Sequence, residues 1–218
     1  MQCPTETLVC FAVKEEAGFF QRLVEDQPQI RTLITGMGRL NAEREIRAAL
    51  AFRKPSRVWS CGFAGGLDPE LTTGTVVFAD IGEPKIEAAL LATGARAVRF
   101  HSAQRVAVTA SEKKALREMT RADAVEMESH VIGLVCREHG IPCIPLRVIL
   151  DTAEEDLPLD FNQLMTDDQR IDPGKLAWSV AKSPHRIPAL VGLQKQSKAA
   201  AEKLAEALAS VLTSASVS

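Results

Sequence analysis

Short apolar runs alternate with longer stretches of helical spacing from residue 7 to residue 151, and this alternation restricts the fold more than any other feature. TLVCFAV (7–13), RTLIT (31–35), RVWSCGF (57–63), TVVFADI (75–81), QRVAVTA (104–110), ADAVEM (122–127) and PCIPLRVIL (142–150) read as strands. Between them, EEAGFFQRLVE (15–25) carries Phe19, Phe20 and Leu23 at helical spacing. LNAEREIRAALAF (40–52) offers Leu40, Ala42, Ile46, Ala49 and Leu50 as an apolar side. A polar helix starts at Ser111 as N-cap, and SHVIGLVCREHG (129–140) is a helix stopped by Gly140. Continuous apolar strands separated by helices imply an α/β chain with a mostly parallel or mixed central sheet covered on both faces, a three-layer sandwich. Pro142 and Pro145 call for an edge or a bulge near the start of the last strand.

From Asp172 the pattern becomes helical: PGKLAWSVAKS, then HRIPALVGLQKQSKAAAEKLAEALASVL. Leu193, Ala200, Leu204, Leu208 and Val211 form one stripe, which packs on the same domain or on another subunit. The terminal TSASVS is expected to fray. Residues 82–103 are the least readable part. With 218 residues, 46% of them hydrophobic, the expectation is a single domain over 1–218 that ends in helices.

Charge removes several function classes. The net charge is −2 and no dense Lys/Arg run appears, so a nucleic acid partner is not expected. No apolar segment reaches the roughly 18–20 residues that span a bilayer, and MQCPTET lacks the basic and apolar start of a signal peptide. Cys3, Cys10, Cys61, Cys136 and Cys143 are odd in number and form no CxxC pair, which fits mostly buried, reduced thiols and a cytoplasmic location. His101, His130, His139 and His185 show no metal-ligand spacing.

In parallel sheets ligands gather at the carboxyl ends of strands, and the unusual residues of this chain fall there. Glu16 follows the first strand, Gly36-Met37-Gly38 the second and Ala64-Gly65-Gly66 the third; Glu126 and Glu128 end the sixth and Asp151 the seventh. GMGRLNAE (36–43) has the GxG of a dinucleotide loop, but Asn41 stands where the third glycine belongs. Its glycines either let backbone N–H groups approach an anion or make a tight turn. ADAVEMESH (122–130) sets Glu126 and Glu128 two residues apart where a buried strand runs out. Such acids are costly unless paired. Glu128 is expected to open the following helix, where a carboxylate meets the N-terminal dipole and can grip a vicinal diol. Arg147 shares a strand face with Asp151 and can hold Glu16 or Glu128 ionised. Spacing alone also allows a purely structural network of caps and ion pairs.

CGFAGGL, ADAVEMESH and PLRVILD, in that order, resemble the nucleoside phosphorylase and nucleosidase superfamily of family-one type. The overall layout is similar to the methylthioadenosine/adenosylhomocysteine nucleosidases. MESHVIGLVCREHGIP, LRVILDTAEEDLP and SPHRIPALVGL resemble the hopanoid-associated phosphorylases, which are linked to removal of adenine from adenosylhopane. The resemblance implies cleavage of a purine N-glycosidic bond without a metal or organic cofactor, with inorganic phosphate as co-substrate if the reaction is a phosphorolysis. It implies that Asp151 serves purine N7, that Glu128 grips the ribose hydroxyls with Met127 packed on the sugar, that Glu16 orients water, and that Arg147 supports the acids. Glu126, Phe63, Ala64 and Gly65 would line the substrate site, and Gly36, Gly38 and Arg39 the phosphate or water site. Phe63 stands where the nucleosidases commonly carry a small hydroxyl residue, and the segment from Asp80 to Arg105 is shorter than theirs. Both departures point to an open, apolar side for a bulky, lipid-like 5′ group. Homo-oligomers are common in the family.

Overall fold

The computed structural model describes residues 6–79, 81–166 and 172–215. Cys3, Asp80 and the last three residues of the tail lie outside the described residues. In chain order the elements are β1 (Thr7–Phe11), α1 (Lys14–Leu23), β2 (Ile30–Ile34), α2 (Arg39–Phe52), β3 (Arg57–Gly66), β4 (Val76–Phe78), α3 (Pro84–Ala92), β5 (Arg96–Ala97), β6 (Phe100–Ser102), α4 (Ala110–Thr120), β7 (Ala124–Glu126), α5 (Ser129–Glu138), β8 (Cys143–Asp151), α6 (Phe161–Leu164), α7 (Pro173–Lys182) and α8 (Ile187–Ala215). A 3₁₀ turn at Pro184–Arg186 joins the last two helices.

The sheet runs β2-β1-β3-β8-β4-β5. β2, β1, β3 and β8 are mutually parallel, whereas β4 pairs antiparallel with β8. β7 joins β3 antiparallel at Gly65 and Gly66, and β6 lies parallel to β7. Alternation along β1 divides the core. Val9 and Phe11 enter one apolar cluster with Phe20 of α1, Leu90 of α3, and Leu204 and Leu208 of α8. Leu8 and Cys10 enter the other with Ile46 of α2 and Val131 and Val135 of α5. Side chains on successive strand residues point to opposite faces, so helices must cover both. The result is a three-layer α/β sandwich around a mixed, mostly parallel sheet.

Several local expectations are corrected. QRVAVTA is not a strand: its first six residues form a loop, and α4 begins at Ala110. The Val106 backbone bonds the Asn162 side chain instead of a strand neighbour. The N-cap of α4 is Thr109, not Ser111, because Thr109 and Glu112 make a reciprocal capping box. Leu40 is 69% exposed in the first turn of α2, while Ala42, Ile46, Ala49 and Leu50 are buried as expected. β4 covers only three residues of the run from 75 to 81. Pro145 is opposite Ser60 of β3, and β4 begins to pair with β8 only at Leu146. The proline therefore sits where one side of β8 is still an open edge, the place expected for it. Residues 82–103 contain α3, β5 and β6. In the tail, Ala200, Leu204, Leu208 and Val211 are buried against the domain itself.

Candidate active site

The carboxyl ends of the strands bring the predicted residues close to one another. Asp151 and Val125 flank Gly65 of β3 on its two sides, so the ends of β7 and β8 meet there. A Cβ on Gly65 would lie 3.2 Å from Val125 and 3.4 Å from Asp151 Oδ2, so glycine is what lets the strands close up.

Arg147 lies at the centre of the acids, 1% exposed. Its Nη1 donates to the Ser60 carbonyl at 2.6 Å. Its Nη2 donates to Ser60 Oγ at 3.2 Å and to Glu126 Oε2 at 2.9 Å. Glu128 Oε2 stands 3.9 Å from the same nitrogen. The close partner of Arg147 is thus Glu126, not the expected Glu16 or Glu128. Strand pairing stops at Glu126, so alternation no longer separates the two acids and both turn toward the arginine.

The helix-capping expectation is also redistributed. Glu126 Oε2 accepts from the backbone N–H groups of Glu128 at 2.9 Å and Ser129 at 2.6 Å, so Glu126 serves the N-terminus of α5. Glu128 instead accepts from Gly38 N–H at 2.8 Å, at the N-terminus of α2. Gly38 has φ 78° and Gly36 φ 80°, a conformation that glycine adopts without strain. The GMG loop does receive an anion on a backbone amide, and that anion is the chain's own carboxylate. Arg39, the first residue of α2, is exposed.

Glu16 bridges another pair of segments. Its Oε1 accepts from Phe63 N–H at 2.8 Å, and its Oε2 from Ala12 at 2.9 Å and Val13 at 3.1 Å. Gly62 beneath it has φ 150°, and a Cβ there would stand 2.7 Å from Glu16 Oε1. Phe63, Gly65 and Met127 are half-buried, and Ala64 is buried.

Burial raises the proton affinity of Glu16, against hydrogen bonding from Phe63 and the Arg147 charge. Burial would also raise Glu126, but Arg147 and the hydrogen bonds it accepts outweigh burial and hold it below the ordinary range. Glu128 is pushed up to about 7 by burial, with the Glu126 charge adding to the effect and Arg147 opposing it. Three buried acids around one guanidinium cannot all ionise cheaply, and Glu16 and Glu128 both hold their protons more tightly than an exposed carboxyl does. Asp151 is raised by burial, opposed by Lys113.

Lys113 and Ser60 were not singled out from sequence. Lys113 is fully buried and ion-paired to Asp151. Its one signal is its place at the middle of the spacing Ala110, Lys113, Leu116, where an apolar residue would continue the inner side of α4. Among the described residues, no group of three or more His, Cys, Asp or Glu is arranged to hold a metal ion. No helix among them is long and apolar enough to cross a membrane.

A family model for the phosphorylase superfamily matches residues 85–182. An aminodeoxyfutalosine nucleosidase of Campylobacter jejuni is 36% identical over 61 residues, which are 28% of this chain and 27% of that protein. The chain thus aligns with only about a quarter of that relative's length. A 5′-methylthioadenosine/S-adenosylhomocysteine nucleosidase of a Marinomonas strain is 26% identical over 167 residues, 61% of this chain and 72% of that one. Among solved structures, the Campylobacter jejuni 5′-methylthioadenosine/S-adenosylhomocysteine nucleosidase superposes with a TM-score of 0.71 at 16% identity, covering 96% of this chain and 99% of that one. The futalosine hydrolase of Helicobacter pylori gives 0.69 at 15% identity, covering 96% and 98%. The chain thus matches the sequence pattern of the phosphorylase superfamily over residues 85–182 and shares the fold of these solved nucleosidases along nearly its whole length.

Proposed function

We propose that the protein is an enzyme that cleaves the N-glycosidic bond of an adenine nucleoside carrying a bulky, lipid-like 5′ group, with adenosylhopane as the expected substrate. The observation that carries this reading is the convergence of Glu126, Glu128 and Arg147 with Asp151 at the ends of β3, β7 and β8. Breaking such a bond builds positive charge on the sugar and negative charge on the departing purine. Glu128 would accept hydrogen bonds from the ribose hydroxyls, and a carboxylate gains most when the sugar becomes cationic. Met127 would pack on the sugar. Asp151 would give a proton to purine N7, a form of help that contributes roughly 10²–10⁴-fold.

Hydrolysis is the better-supported variant. Glu126, Glu128 and Glu16 compete for one arginine, which leaves little positive charge to hold phosphate. The Gly38 amide that a phosphate would use already holds Glu128. Glu16, held from both sides by backbone amides, would orient the water. Both relatives named above are nucleosidases, which supports the bond cleaved. The partly buried Phe63 supports an apolar 5′ side. A second reading, a methylthioadenosine/adenosylhomocysteine nucleosidase, is favoured by the likeness to enzymes of that name.

The deciding experiment incubates the protein with adenosylhopane, methylthioadenosine and adenosylhomocysteine, with and without phosphate, and detects free adenine and the sugar product. Preference for adenosylhopane, with a 5′-substituted ribose that carries a C1′ hydroxyl and no phosphate in either buffer, is expected. A clear preference for the small thioether supports the second reading, and no adenine from any of them leaves a nucleoside-binding protein without turnover.

A further inference from the structure

Lys113 is the only buried lysine among the described residues. Its ammonium pairs with Asp151 Oδ2 and donates to the carbonyls of Thr152 and Glu155, each at 2.7 Å. An ammonium has three N–H donors, and all three are aimed at the end of β8 and the loop after it. The capping box of Thr109 and Glu112 fixes the first turn of α4 immediately before Lys113. The loop is closed on itself, Thr152 N–H donating to Glu155 Oε2 at 2.8 Å. A buried charge costs several kcal/mol in desolvation, which an apolar residue in the same space would not. A carboxylate beside the two carbonyls offsets more of that cost than the carbonyls alone. Asp151 Oδ2 is sealed from solvent, yet the side chain as a whole keeps 12% of its surface exposed. Only Oδ1 is left to meet a ligand.

We propose that Lys113 is a positioning residue for Asp151: it holds Oδ2, presents Oδ1 to the purine, and stabilises the carboxylate that remains after proton transfer. The proposal rests on the reading of function given above. In the step it serves, the O–H bond of protonated Asp151 breaks and an N7–H bond forms. The electron pair of the C1′–N9 bond moves into the purine ring, and the new carboxylate stays beside the ammonium. The groups facing Asp151 are Lys113 from α4 and Glu155 from the following loop; Gly65 and Val125 on the other side bring no charge.

The test is Lys113→Met beside Lys113→Arg. With the ammonium gone, Asp151 becomes a weaker acid that stays protonated to higher pH. For Lys113→Met, the alkaline limb of the kcat/KM profile for adenine release is expected to move up by about one pH unit, with kcat down by about tenfold or more and KM nearly unchanged. Lys113→Arg keeps a charge, so its limb should stay at the wild-type position even if its kcat falls. A limb that stays put in Lys113→Met, or moves equally in both variants, overturns the proposal. If Lys113→Met does not fold, an arginine variant whose limb moves is enough to reject it. The carboxyl ¹³C resonance of Asp151, titrated in wild type and variants without substrate, reads the same shift independently of turnover. No adenine release from any nucleoside, with that titration still dependent on Lys113, rejects the catalytic assignment and the proposed function together. No shift in the titration, with turnover present, rejects the role of Lys113 alone.

Discussion

At the scale of single residues, the site is an exercise in distributing charge. Glu126 takes the short contact with Arg147 and the α5 amides, and so stays ionised; Glu128 is left with a 3.9 Å contact and one amide. This division predicts a pH dependence. The folded-state affinity of Glu128 for a proton is raised, to about 7 from 4.5, so its contribution to stability is full below about 4.5 and is lost as pH rises through 7. Between pH 5 and pH 8 the wild type should therefore lose roughly 2 kcal/mol relative to Glu128→Gln, whose amide does not titrate. Urea midpoints of the two proteins at both pH values measure this; parallel behaviour would mean that Glu128 titrates normally. Asp151→Asn should reduce adenine release per folded molecule by about 10²-fold or more, and should also lower the thermal midpoint, because it leaves the buried Lys113 ammonium without its carboxylate. Near-normal turnover in that variant would remove Asp151 as the acid.

At the scale of elements, the long alternating runs were legible and the short connections were not. β1, β3, β8 and the helices between them are written as continuous apolar runs and period-3.6 patterns, which local sequence specifies. QRVAVTA has the composition of a strand but finds no strand to pair with, and pairing is a property of the whole sheet. The candidate acids were legible because a carboxylate at the end of an apolar strand is expensive. Which acid meets which partner was not, because Arg147 reaches Glu126 across 21 positions and Glu16 meets Phe63 across 47. Lys113 stayed hidden in a polar helix, since only its spacing from Ala110 and Leu116 sets it apart from its neighbour Lys114. Gly62 marks where an element is tuned to a side chain. Gly62→Ala would push a Cβ into Glu16 at a φ that alanine resists, so a loss of about 1–3 kcal/mol is expected, with a larger loss of turnover than of stability. Chemical denaturation and adenine release, measured on the same preparation, separate the two effects.

At the scale of the whole molecule, α8 links the tail to the sheet: Leu204 and Leu208 are fully buried beside Phe20 and Leu146. Leu204→Ala should cost about 2–5 kcal/mol in unfolding free energy. Turnover per folded molecule should fall less than stability does, because Leu204 acts on the site only through packing, by way of the cluster on which Phe63 rests. A calorimetric scan with an active-site assay checks both. β3 has the widest consequence. It pairs with β1 as far as Cys61 and takes up β7 at Gly65. For Gly62, Phe63 and Ala64 that edge has no strand beside it, and the Phe63 amide turns to Glu16. The sheet thus carries a built-in vacancy three residues long, and a side chain from another element stands in for the missing neighbour. A buried carboxyl can thus enter the sheet at this window without breaking a strand pairing on either side of it.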